Sequence, residues 1–199
     1  MRDISVLMSP TRRRGDALTT AIFQAVLSEL AGSSFEELTF DKIASAAGTG
    51  KAALYRRWST PAELVLAALS DPATGFGDPP APPGTGALRD DLIALLEHFV
   101  RALEEPRGRA LLPLIAHRHR HPELFEQVHR LVIRPHQEVL LSVLRQAVER
   151  GEAAPGSLTP RVVSVGPRLI LLQAWEGGRV DSGEIASTVD EVLIPLTRP

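Results

Sequence analysis

The sequence predicts an all-α protein of about nine helices in two parts. Three observations predict it. Apolar residues recur at helical spacings along nearly the whole chain of 199 residues. Period-two alternation is absent, and the β-branched residues fall on helical positions. One stretch, Asp71 to Gly86, is too rich in Pro and Gly to hold a helix or an interior strand. The expected division is therefore residues 1–70, a linker at 71–86, and residues 87–199.

In the first part, Leu18, Ile22, Val26 and Leu30 repeat every four residues, with Ala21 and Ala25 filling the same face. Gly32 closes this amphipathic helix. A short second helix starts at Thr39, whose hydroxyl caps free backbone N–H groups, with Leu38 and Ile43 as a hydrophobic staple. It runs into Gly48, a residue that turns with positive φ. The third helix, KAALYRRW, puts Leu54 and Trp58 on one face. Thr60-Pro61-Ala62-Glu63 reads as a capping box with proline at the first helical position, launching a fourth helix through Leu64, Val65, Ala68 and Leu69.

Behind the linker, Leu92, Leu95, Leu96 and Phe99 mark a helix over 88–103. Ala110, Leu111, Leu114 and Ile115 mark another over 107–117, with a kink expected at Pro113. A long pattern over 122–149 is interrupted at Pro135, predicting a kinked helix or two stacked pieces. The segment 160–175 is apolar almost all round, which predicts burial on more than one side. The last helix begins at Ser182, with Ile185, Val189, Val192, Leu193 and Leu196 on one stripe.

Composition excludes several classes. The chain has no cysteine, so disulfides, a thiol nucleophile and Cys-ligated metals are ruled out. No apolar run approaches the roughly 20 residues that span a bilayer, and the N-terminal region carries no signal-like apolar core, so a cytoplasmic protein with no membrane partner is expected. There is no Walker loop, GxSxG elbow, HExxH motif or convincing carboxylate pair. No catalytic residue and no cofactor are expected. The run His117-Arg118-His119-Arg120-His121 reads as cations complementing a helix C-terminus, not as a metal site.

Function is concentrated between Thr39 and Leu69. Two short helices joined by a glycine turn, the second offering small and basic residues outward, form a helix-turn-helix. Ala44 and Ala47 are small where the helices cross, and Leu54 and Trp58 bury the back of the second. Thr49, Gly50, Lys51, Ala52, Ala53, Tyr55 and Arg56 are left on the front. A helix N-terminus, short side chains and cations suit entry into a DNA major groove. Net charge is −2, yet residues 9–60 hold seven basic side chains against five acidic ones. Arg12, Arg13 and Arg14 are expected to form an arm ahead of the first helix, on phosphates or in the adjacent minor groove. The predicted DNA contacts are Arg12, Arg13, Arg14, Thr39, Thr49, Gly50, Lys51, Ala52, Tyr55 and Arg56. Arg57 is left between a DNA contact and a pair with a nearby acid.

The string TFDKIASAAGTGKAALYRRWSTPAELVLAAL, preceded by a helix, resembles the N-terminal DNA-binding domain of TetR-family transcriptional regulators. Thr39, Ile43, Ala44, Ala47, Gly48, Leu54, Tyr55 and Trp58 carry the match. Downstream, ALRDDLIALL, AVERGE and the helix containing Gly166-Pro167 resemble one subtype of TetR-like C-terminal domain. The chain departs from the family pattern at Gly50, where a serine usually caps the recognition helix and Thr49 is available instead. It departs also at Ala53, a common threonine, and at Pro61, a common lysine.

The resemblance implies an N-terminal three-helix DNA-binding domain, a C-terminal effector bundle and a homodimer. Two helix-turn-helix units would enter successive major grooves of a pseudo-palindromic double-stranded operator, and a small molecule in the bundle would release it. The expected effector wall is Phe99, Leu112, Ile115, Phe125, His129, Ile133, His136, Leu172 and Trp175. Mostly apolar, it suits a hydrophobic effector, uncharged or weakly acidic, with Arg134 or Arg168 favouring an anion if either points inward. The apolar 162–175 segment and the stripe Ile185, Val189, Val192 and Leu196 are expected to make a four-helix dimer interface. The alternative reading is a helical small-molecule-binding or scaffold dimer whose DNA face has lapsed at Gly50 and Pro61.

Overall fold

The computed structural model describes residues 10–177 and 179–198, with side chains from residue 15 on. Among them there are helices and no strands: α1 (Pro10–Gly32), α2 (Phe40–Ala46), α3 (Lys51–Tyr55), α4 (Pro61–Ser70), α5 (Leu88–Glu104), α6 (Pro106–Ala116), α7 (Pro122–Val128), α8 (Arg134–Glu149), α9 (Pro160–Val163), α10 (Val165–Trp175), α11 (Ser182–Thr188) and α12 (Ile194–Thr197). Five-residue π turns, His129–Ile133 and Val189–Leu193, join α7 to α8 and α11 to α12, and Ser164 alone separates α9 from α10. The described residues thus form nine continuous rods, as the sequence predicts.

Both π turns stand just ahead of a proline, Pro135 and Pro195. Proline offers no N–H to the preceding turn and its ring crowds the carbonyl four residues back, so a widened turn admits it without breaking the rod. Side chains help satisfy the carbonyls of these turns. His136 Nδ1 lies 2.8 Å from the Val132 carbonyl, and Thr197 Oγ1 donates to the Leu193 carbonyl at 3.1 Å. The kink expected at Pro135 is therefore a π turn. Pro113 sits inside α6 without ending it.

The chain gathers into two compact units, Met1–Gly77 with Pro106–Gln127, and Asp78–Glu105 with Val128–Pro199. In the first unit, α1 is the spine. Its Ile22, Val26, Leu27 and Leu30 are buried, as are Ile43 of α2, Leu54 of α3, Leu64 and Leu69 of α4, and Ala110 and Leu114 of α6. The first half of the Pro/Gly-rich stretch is a built stop for α4. Asp71 Oδ1 accepts the backbone N–H groups of Ala73 and Thr74, at 3.0 and 2.8 Å. Gly75 passes so close to α4 that a Cβ would lie 2.2 Å from the Ala68 carbonyl oxygen. Arg107, from α6, donates to the Gly75 carbonyl at 2.8 Å and lies 5.6 Å from the Phe76 ring centroid.

The second unit is built around Leu92, Leu96, Val143, Leu144, Ile170, Ile185, Val189 and Leu193. Ile185 and Val189 are thus spent in the unit's own core, which corrects the expectation that they face a partner. Only Leu196 of that stripe is exposed. Gly166 lets α10 approach closely: a Cβ there would stand 2.9 Å from Leu193 Cδ1.

Helix α5 begins at Leu88, and its N-cap residue, Ala87, provides no side-chain cap. The cap comes from the far end of α8. Gly151, at φ +78, lets Glu152 N–H reach the Ala147 carbonyl at 2.8 Å and Gly151 N–H reach that of Val148 at 3.0 Å, closing a Schellman motif. This aims Glu152 at α5, where Oε2 accepts the Leu88 N–H at 2.6 Å while Oε1 accepts Arg150 Nε at 2.5 Å. Beside it, fully buried Asp91 accepts the Thr85 backbone N–H at 2.8 Å.

The hydrogen bond from Arg150, and then that from Leu88, hold the Glu152 carboxyl below its ordinary value of 4.5. Its stabilisation is therefore complete above that value and lost as pH falls through the lower folded-state value. Glu152→Ala is expected to cost about 1 kcal/mol at neutral pH, a typical helix-cap loss. The gap from wild type should close under acid conditions in urea unfolding. A gap that persists in acid would show that the carboxylate does not carry the cap.

Candidate nucleic-acid interface

The helix-turn-helix is assembled by local chemistry that the sequence announces. Thr39 Oγ1 accepts the Lys42 N–H at 3.3 Å, and Leu38 and Ile43 are both buried, as a staple requires. Gly48 adopts φ +63. Around it, Thr49 N–H reaches the Ala44 carbonyl at 2.9 Å and Gly48 N–H that of Ser45 at 3.2 Å, a second Schellman motif. Gly50 opens α3 in an extended conformation with no side-chain cap, and among the described residues the Thr49 hydroxyl does not supply one. At the entry to α4, Thr60 Oγ1 accepts the Glu63 N–H at 3.2 Å. Glu63 returns to the Ser59 N–H at 2.7 Å, one residue ahead of the usual box partner.

Helix α3 is held from behind. Leu54 is fully buried, and the Trp58 ring packs on Phe23 of α1 with centroids 5.7 Å apart. Arg57 donates to Thr19 Oγ1 of α1 at 2.5 Å and lies 5.9 Å from the Trp58 ring centroid, so this side chain ties α3 to α1. The front is open: Thr39, Gly50, Lys51, Ala52, Tyr55 and Arg56 are exposed and Thr49 is half-buried. Lys51, Ala52, Tyr55 and Arg56 share one helical face. Tyr55, 56 % exposed, meets Phe40 of α2 edge-on with centroids 4.7 Å apart. Lys51 Nζ sits 5.7 Å from the Tyr55 ring centroid and 2.6 Å from Asp41 Oδ2. The hydrogen bond to Asp41 pushes the Lys51 ammonium above its ordinary value. Arg56 makes no ion pair among the described residues.

Helix α1 begins at Pro10, so Arg12, Arg13 and Arg14 belong to its opening turns and are not an arm ahead of it. Their side chains lie outside the described residues. Sequence reasoning missed Asp41, whose role depends on a side-chain conformation. It missed also the contact of the turn after α6 with the short 3-10 turn Phe35–Glu37. There Glu36 Oε1 lies 3.1 Å from His121 Nε2 and 3.5 Å from Arg120 Nη1, and the Phe35 and His121 rings meet edge-on at 4.8 Å. The backbone N–H of Glu36 itself, and then His121, bring the Glu36 carboxyl down to about 2. Among the described residues, no group of three or more His, Asp or Glu is arranged to hold a metal ion, and no helix is long and apolar enough to cross a membrane.

The nine residues expected to line an effector pocket are divided between the units. Leu112, Ile115 and Phe125 belong to the first, and Phe99, His129, Ile133, His136, Leu172 and Trp175 to the second. Leu172 and Trp175 are exposed, at 47 % and 68 %, and the other seven are half-buried. Arg134 and Arg168 are both exposed. The second unit contains a cavity of about 20 Å³ whose lining includes Leu92, Leu96, Leu140, Val162, Pro167 and Leu193, and none of the nine.

The same architecture is found in known proteins. Residues 22–68 match the family described as bacterial regulatory proteins, tetR family, and residues 82–192 match the tetracyclin repressor-like C-terminal domain. An uncharacterized HTH-type transcriptional regulator of Mycobacterium tuberculosis is 31% identical over 183 residues, covering 90% of this chain and 88% of that protein. A DNA-binding transcriptional repressor TetR of Mycobacteroides abscessus is 30% identical over 187 residues, covering 94% and 97%. Among solved structures, the flavonoid-responsive regulator FrrA has the same fold, with a TM-score of 0.64 at 18% identity over 93% of this chain and 98% of that one.

The left-handed conformation at Gly48 gives a direct check on the turn. Gly48→Ala is expected to destabilise the protein by about 1–2 kcal/mol, and Gly48→Asn by clearly less, because asparagine tolerates this conformation. Equal losses in urea unfolding would mean that backbone strain is not what the glycine relieves.

Proposed function

The chain belongs to the TetR family of bacterial regulatory proteins, and from that premise we propose a homodimeric repressor, released from a pseudo-palindromic operator by a hydrophobic effector that is uncharged or weakly acidic. The observation that carries the proposal is the face of α3. Lys51, Tyr55 and Arg56 stand outward on a helix whose back is buried at Leu54 and which is tied to α1 through the following Arg57 and Trp58. In the groove, Tyr55 and the small Ala52 and Gly50 let the helix approach base edges, while Lys51, Arg56 and the Arg12–Arg14 cluster meet phosphates. Thr39 and Thr49 add hydroxyls at the starts of α2 and α3. Such work places the protein in the cytoplasm with the DNA. The M. abscessus relative, named as a repressor, supports repression over activation.

In this reading residues 1–70 bind DNA and residues 87–199 bind the effector and dimerise. Leu172 and Trp175 on α10 and Leu196 on α12 are large apolar side chains left in solvent. Two such helices from each subunit would cover them across a two-fold axis. The cavity of the second unit is water-sized, so a ligand entering there must part α5, α8 and α10. Its differential affinity for the parted state then sets how much DNA is released. That a regulator of this fold is described as flavonoid-responsive supports an organic effector in kind.

Two outcomes are expected. Lys51→Ala and Tyr55→Ala each weaken operator binding by about 1–3 kcal/mol with unchanged circular dichroism. Full affinity in both variants would take α3 out of the groove. In sedimentation at micromolar concentration the wild type runs as a dimer and the Leu172→Glu, Trp175→Glu double variant as a monomer; a monomeric wild type contradicts the proposed interface.

A further inference from the structure

We propose that Asp41 is a specificity-determining residue, because its carboxylate holds the Lys51 ammonium and so withholds that cation from indiscriminate contact with duplex phosphates. The inference rests on the DNA-binding reading above. The chain has only two lysines, Lys42 and Lys51, and both lie in the helix-turn-helix. Both are matched to acids there, Lys42 with Glu37 at 3.9 Å and Lys51 with Asp41 at 2.6 Å. Asp41 sits in the first turn of α2 and Lys51 opens α3, so the Gly48 turn sets their register. Tyr55, braced edge-on by Phe40, stands beside the same ammonium at 5.7 Å from ring centroid to Nζ. A flexible side chain is thereby held by contacts from both helices of the motif.

The pair is open to solvent, with side chains 44 % and 69 % exposed, and exposed ion pairs add little to stability. Its consequence lies in what Lys51 gives up on meeting DNA. An ammonium has three N–H donors, so on a duplex that seats Tyr55, Ala52 and Arg56 it meets a phosphate without leaving Asp41. On other sequences it reaches a phosphate only by leaving the carboxylate, so the cost of breaking the pair falls on those complexes alone. Arg56, with no ion pair among the described residues, remains available to any phosphate.

The test is a double-mutant cycle on the full-length protein, with an operator duplex and a scrambled duplex across a range of salt. Asp41→Asn is expected to raise affinity for the scrambled duplex by about fivefold, the order of an exposed ion pair. It should steepen the salt dependence by about one unit, as one more cation joins the phosphates. The preference for operator then falls. In a Lys51→Ala background most of that gain disappears. An unchanged preference, or an equal gain without Lys51, overturns the inference while leaving DNA binding intact. A wild type that binds neither duplex overturns the function itself, and this inference with it.

Discussion

A helix of five residues cannot hold itself in water, where isolated helices need about 12–15 residues to be even marginal. Helix α3 therefore exists because of what it is packed on. Leu54 is fully buried, Trp58 lies against Phe23, and Arg57 reaches Thr19. The apolar back and the polar front are two consequences of one constraint: burying one side of so short a helix obliges the other to face solvent. The face proposed to read DNA is what this packing leaves exposed.

The same turn chemistry serves two ends. At Gly48 a Schellman motif reverses the chain between α2 and α3 and so sets the register of Asp41 against Lys51. At Gly151 the same hydrogen-bond pattern throws Glu152 back onto the start of α5, a helix with no cap of its own. A single positive-φ glycine thus shapes the helix-turn-helix in one unit and closes a helix end in the other. The π turns before Pro135 and Pro195 are a third case, in which the backbone widens so that a residue unable to donate stays inside a rod.

Much of this was legible in sequence because it is local. Thr39, Gly48 and the Leu38–Ile43 staple act within a few residues, and the four-residue spacing of Leu54 and Trp58 marks a buried face without reference to the rest of the chain. What escaped was either distant or dependent on side-chain conformation. Glu36 and His121 are far apart in the chain, and no window of sequence connects them. Lys51 and Asp41 are near, but both are exposed, and hydrophobic patterning says nothing of where an exposed cation points. The stripe containing Ile185, Val189 and Leu196 showed which face was apolar without showing whose core would take it. The structure spends Ile185 and Val189 within the second unit and leaves Leu196 outside. The effector wall was hardest, since apolar residues on many helices satisfy a pocket and a core equally well.

The central claim is that a rigidly backed α3 reads duplex DNA as one half of a symmetric pair. It is tested most directly by selecting binding sites for the wild-type protein from random duplex DNA. The expected result is enrichment of a pseudo-palindrome whose half-sites are one helical turn apart, about 34–36 Å between centres. Recovery of no common sequence, under conditions where the protein is folded, would contradict it.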